Sequence, residues 1–220
     1  MRIAPMGRRS ALACLGIAIP SWVAFNYIYR FGVDVPFWDQ WQLIPYLEDW
    51  ANGTLSAAKL FAQHNEHRIF FPRLVMIILA QLSNWNTRVE MFAGWAVVLI
   101  GVATLLWEHL KTFGRSPTNL WLFVPMAWLL FSLRQEDNWL WGWQITIFIA
   151  GAATSVGLVL LDSSERQPVR FTLALAIPKS AADEFFSNDQ ASIGGEHHVW
   201  QTRLWLDGFH AATERSQSVT

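Results

Sequence analysis

The sequence has a single cysteine, Cys14, and few charges. One cysteine excludes an internal disulfide framework and a cysteine-based zinc cluster. Charged residues make up 15% of the chain, where a soluble domain carries about 25%. The net charge of −1 and a pI near 6.6 supply no basic surface, so no nucleic-acid partner is expected. The clearly apolar runs hold no charged residue, which argues against an ion or proton pathway through them. No internal repeat is evident. Hydrophobic residues, by contrast, form 53% of the 220 positions, and fourteen are Trp. That richness excludes disorder for most of the chain. Trp favours the membrane–water boundary, where its ring is apolar and its N–H reaches water. A mean hydropathy of +0.23 completes the case for an all-α, multi-pass membrane protein.

Residues 11–29 are apolar and uncharged, and follow Arg2, Arg8 and Arg9. As a helix they reach across about 30 Å of hydrocarbon. A cleaved signal peptide would be shorter and would lack Trp22, Phe25 and Tyr27, so the segment reads as an uncleaved first span. Further spans are expected at 91–107, 120–133 and 144–161. Residues 69–82 make a run of only about 14 residues that includes Pro72 and Arg73, which suits an interfacial or re-entrant helix. If that helix does not cross, Lys111, Arg115, Arg166 and Arg170 share a side with the basic amino terminus, as the positive-inside rule requires. The expected membrane domain is therefore 1–161, with four crossings, a cytoplasmic amino terminus and a bacterial inner (plasma) membrane setting. Residues 162–220 form a polar, poorly structured tail, read as non-native sequence after a truncation or frameshift.

The chemistry-bearing residues gather at the outer ends of the spans. The first outer loop opens with Asp34, followed by Trp38-Asp39-Gln40-Trp41. A carboxylate between aromatic rings at a membrane surface is partly desolvated, which suits a base; the plainer reading of Asp34 and Asp39 is helix capping. Residues 42–50 are spaced for an amphipathic helix, and Asn52-Gly53 for a turn. His64-Asn65-Glu66-His67-Arg68 then precedes the 69–82 helix. His64 and His67 share a helical face and offer a divalent metal two ligands, with Glu66 or Asp39 as a third. Two His and a Glu are also common by chance, and no cofactor is expected. Arg68 and Arg73 suit phosphate binding or snorkelling to lipid headgroups. The second outer loop combines Glu136 and Asp137 with Trp139, Trp141 and Trp143. Acids beside aromatic rings suit a sugar, and a plain aromatic belt is the alternative.

This order of parts resembles the start of the GT-C superfamily of membrane glycosyltransferases, of the protein O-mannosyltransferase and lipid A aminoarabinose transferase type. The resemblance covers about residues 10–161. It rests on the acidic motif Trp38-Asp39-Gln40-Trp41, Gly53 after the amphipathic helix, the polar stretch from His64 to Pro72, and Arg88 ahead of the next span. The family often has Asp-Glu where this chain has Asp39-Gln40. The resemblance implies a sugar donor on polyprenyl phosphate and inverting transfer at the outer face. Asp39 would be the base, with Asp34 the second candidate. His64, Glu66, His67, Arg68 and Arg73 would orient acceptor or phosphate, and Glu136, Asp137 and Trp141 would complete the site. Such enzymes have many more spans, so the chain alone is expected to be nearly inactive. The competing reading is a non-enzymatic integral membrane protein, such as an assembly partner or small transporter subunit.

Overall fold

A computed structural model describes residues 7–63 and 68–162. Among these the regular structure is entirely helical. The elements are α1 (Arg8–Phe31), a 3-10 turn (Trp38–Leu43), α2 (Ile44–Ala51), α3 (Ala57–Leu60), α4 (Phe70–Ser83), α5 (Thr87–Phe113), α6 (Pro117–Leu130), a 3-10 turn (Leu133–Gln135), α7 (Glu136–Trp139), a 3-10 turn (Gly142–Gln144) and α8 (Ile145–Asp162). The His64-to-His67 cluster and the tail from 163 lie outside the described residues.

Three helices are long and apolar enough to cross a membrane: α1, α5, and α8 with its preceding turn. The expected span at 120–133 becomes α6, of 14 residues, about 21 Å at helical rise. Pro117 starts it, where its missing N–H costs nothing. The Ser116 side chain caps it by accepting the Asn119 N–H. The 69–82 segment forms α4, and the expected helix at 42–50 is divided into a 3-10 turn and the shorter α2. Pro45 sits in the first turn of α2, so the α-helix opens there.

Contacts along the helices fix their directions. Phe25 of α1 meets Phe92 and Trp95 of α5, while Arg88, further back on α5, donates to the Tyr29 carbonyl further along α1. These two helices are antiparallel. In α5 and α8, Gly94 lies against Phe148, and Gly101 against Ala152 and Ser155, so these two are parallel. A side chain at Gly94 would approach Phe148 to 2.9 Å, so close approach there requires glycine. Parallel neighbours need a returning connection between them. It begins near His109, whose ring bonds the Asn119 carbonyl. It then follows α6 along α1, where the Trp128 indole donates to the Gly16 carbonyl, and ends at Gly142 beside Glu90. Between Glu90 and His109, α5 rises about 28 Å, which is the distance the connection covers.

Two hydrophobic clusters result. One joins α1, α5, α6 and α8 around the fully buried Trp139, which stacks between Phe131 and Phe148. The other joins the turn at Leu43, α4 through Met76, Ile77 and Ala80, and the start of α8 through Trp143 and Ile145. α4 packs against α2, α3, α5 and α8.

Candidate functional site: an aromatic-walled Gln40–Glu90 pair

The first loop reaches the bundle through Gln40. It follows Phe37 in the turn that begins at Trp38, and its side-chain oxygen accepts the Phe37 N–H at 3.0 Å. Its amide donates to Glu90 Oε2 at 2.6 Å. Both side chains are only 1% exposed. Glu90 lies in the first turn of α5, where the positive end of the helix dipole favours an acid. Its Oε1 and the Trp85 indole N–H are both buried, and the indole is the second side-chain donor directed at the Glu90 carboxylate, beside the Gln40 amide. Burying a polar group costs free energy unless it is bonded, so this pair fixes the geometry of its surroundings. Gly142 closes the third side: a Cβ there would sit 2.5 Å from Glu90 Oε2 and 2.8 Å from the Gln40 amide nitrogen.

Aromatic rings wall the pair. Trp141, next to Gly142, stacks on Trp38 with centroids 5.9 Å apart and planes 16° from parallel. Its indole donates to the Phe37 carbonyl at 3.1 Å. Trp41 meets Trp85 edge-on at 6.3 Å. Trp38 and Trp85 both have positive φ, 49° and 55°, a conformation that bulky residues adopt only under tertiary constraint. Each strained residue precedes one member of the buried pair along the chain, Trp38 before Gln40 and Trp85 before Glu90. Trp38 is 54% exposed, so the cluster has an open face.

Several sequence-predicted residues gather at this end. Trp141 is one of the walls. Asp39 is half-buried in the same turn as Gln40, and its carboxylate accepts the Gln42 amide at 3.2 Å. Asp34 accepts the Thr87 N–H at 2.7 Å and the Thr87 hydroxyl at 3.3 Å, so it caps α5 across the loop, one helical turn from Glu90. Glu136 and Asp137 open α7 and are solvent-exposed; α7 packs against α5 and the Gly142–Gln144 turn. Arg73 is placed elsewhere. It is 2% exposed in α4, donates to the carbonyls of Leu60 and Ala62, and lies over the Tyr46 ring at 4.5 Å. Arg68 is exposed just before α4. Among the described residues no three His, Cys, Asp or Glu side chains gather to hold a metal; His64, Glu66 and His67 lie outside that set.

No family model matches this chain, and no curated protein or solved structure matches it.

Gln40, Glu90 and Gly142 were not among the sequence-predicted site residues. The sequence reading ended the outer loop at Glu90 and began the span at Met91. The missed signal is an acid in the fourth position after the Asn86 cap, directly before the long apolar stretch of α5. Chemically, the arrangement offers a rigid, partly exposed pair of Trp faces with a half-buried carboxylate beside them.

Proposed function

We propose that this chain is the amino-terminal part of a membrane glycosyltransferase that takes its sugar from a polyprenyl phosphate at the outer membrane face. The observation that carries this reading is the stacked Trp38–Trp141 wall, anchored through Gln40–Glu90 and set beside Asp39. Aromatic faces stack on the apolar face of a sugar, and carboxylates accept its hydroxyl protons. In the proposed step an acceptor hydroxyl attacks the anomeric carbon and its proton passes to Asp39. The bond from that carbon to the phosphate oxygen breaks with inversion, and polyprenyl phosphate leaves with the bonding pair. Arg68, exposed before α4, and the adjacent His64, Glu66 and His67 would orient the acceptor or the departing phosphate, with the cation serving the phosphate.

In this reading α6 is a fourth crossing, because the connection it carries covers the rise of α5. α4 lies at the outer boundary. Arg8 and Arg9 start α1 and Lys111 lies in the last turn of α5; since these helices are antiparallel, that end is basic and cytoplasmic. Labelling of an Asn86→Cys variant, with Cys14→Ser, is expected from the outer side. Labelling from the cytoplasmic side alone would reverse the orientation.

The activity test is transfer from polyprenyl-phosphate sugars in membranes of source cells carrying the wild-type or Asp39→Asn allele. Loss of a general base lowers rates about 10²–10⁴-fold, and such a drop is expected with the protein still present in the membrane. Full transfer by Asp39→Asn would remove Asp39 as the base. No gene-dependent transfer with any donor would refute the enzyme reading.

A further inference from the structure

A second feature lies away from the Trp38–Trp141 wall and does not depend on the glycosyltransferase reading. Between α6 and α8, over the face of α5, runs a groove of about 480 Å³. Its floor and one wall are cut away by small residues: Gly101 on α5, and Gly151 and Ser155 on α8. Its other wall is Leu129 and Leu130 of α6. Ser132, Arg134 and Gln135 form its polar rim.

The dimensions limit the occupant. From Ile147 to Ser155 the α8 wall is about 12 Å long, and Ile147, Gly151 and Ala152 give it an apolar lining. Hydrocarbon chains are only about 4–5 Å across at carbon contact distances, so two fit side by side. The rim supplies the charge preference. The Ser132 side chain accepts the Arg134 N–H, and the Gln135 amide is occupied by the Leu130 carbonyl. The Arg134 guanidinium is exposed and has no hydrogen-bond or ion-pair partner among the described residues. Glu136 and Asp137 follow it in the chain but do not line the groove. A planar cation at the mouth of an apolar, two-chain slot is complementary to a phosphodiester carrying two acyl chains.

We propose that this groove is a binding site for an anionic diacyl phospholipid, with its acyl chains against Gly101 and Gly151 and its phosphate on Arg134. A neutral-headed phospholipid has its phosphate offset by its own cation and should bind less well.

Native mass spectrometry of the full chain in mild detergent tests this, with phosphatidylglycerol, phosphatidylcholine or polyprenyl phosphate added in turn. Phosphatidylglycerol should be retained about tenfold better than phosphatidylcholine, one charge-assisted contact's worth. Arg134→Gln should abolish that preference, whereas Arg115→Gln at the other end of the bundle should keep it. Gly151→Leu should reduce retention of both phospholipids; a Cβ at Gly151 meets open space, so this variant fills the groove without disturbing the helices. Equal retention of the two phospholipids would overturn the proposal, as would full retention by Gly151→Leu. Retention of polyprenyl phosphate without phosphatidylglycerol would also overturn it and assign the groove to a single-chain lipid.

Discussion

Around Trp139, helices α1, α5, α6 and α8 meet through apolar side chains and the close approaches at Gly94 and Gly101, and Ser21 is the buried polar side chain of these helices' interior. Around Trp143, and where that region joins the bundle, Gln40, Arg73, Thr87 and Glu90 are buried and tie separate segments together. The difference follows from what each region must overcome. Within lipid, helices gain nothing from hiding apolar surface from one another, so contact shape and backbone proximity decide the packing. The loop-rich layer at the Trp38–Trp141 end has many backbone groups not bonded in helices, and these need partners wherever they are buried. Arg73 serves two such carbonyls, and Asp34 and Gln40 each serve a backbone N–H.

Replacing the central ring of the first region should have the largest effect. Trp139→Ala removes the stack with Phe131 and Phe148 and the indole bond to the Ser132 carbonyl, and should cost about 3–5 kcal/mol, read from reversible unfolding in mixed micelles. If Trp139→Ala proved near-neutral, the bundle would not be organised around that ring. In the second region, Arg73→Met keeps the side chain's bulk but leaves the Leu60 and Ala62 carbonyls without their cation, at about 2–3 kcal/mol. A protease-accessibility assay should show the 56–63 loop opening while the bundle stays intact. Loss of the whole fold would mean that the two regions are not separable.

Gly142→Ala tests the joint between them. Its methyl would displace Glu90 or Gln40, and overpacking of this kind costs about 1–3 kcal/mol. The Trp38–Trp141 stack should loosen, seen as a change in near-ultraviolet circular dichroism. Glu90→Gln should have the smallest effect, below about 1 kcal/mol, because an amide oxygen still accepts from Gln40. Glu90→Leu leaves the Gln40 amide buried and unpaired, and should be the worse of the two by about 1–2 kcal/mol. Equal stability for both would show that the Gln40 bond is not what holds the loop.

The helices at 11–29, 91–107 and 144–161 were legible because long uncharged runs have few alternatives to a helix in a membrane. The ends of α1 and α5 lie a few residues outside those runs, where charged residues such as Arg8 and Lys111 complete the helical turns, while α8 keeps to its run within one residue at each end. α6 was legible as apolar and in its 14-residue length but is set three residues earlier, since Pro117 opens it and Phe131 leaves the helix and turns to stack on Trp139. That stack depends on residues eight positions apart and appears in no local periodicity. At the candidate site, Trp141 and Asp39 were visible through residue type. Gln40 and Glu90 were not, because 50 positions separate them and each is ordinary in its own neighbourhood. Arg73 looked like a phosphate ligand in sequence. Its carbonyl partners lie 11 and 13 residues earlier, and only the fold brings them to it.

The shared direction of α5 and α8 bears on the order of biogenesis. While α5 emerges from the insertion machinery, its Gly94 and Gly101 face has no partner, because α8 has yet to be synthesised. That face stays open until α6 has returned the chain and α8 has followed α5's own heading. A nascent chain halted before Gly142 therefore presents a bare helix seam to surrounding lipid or to quality-control proteases.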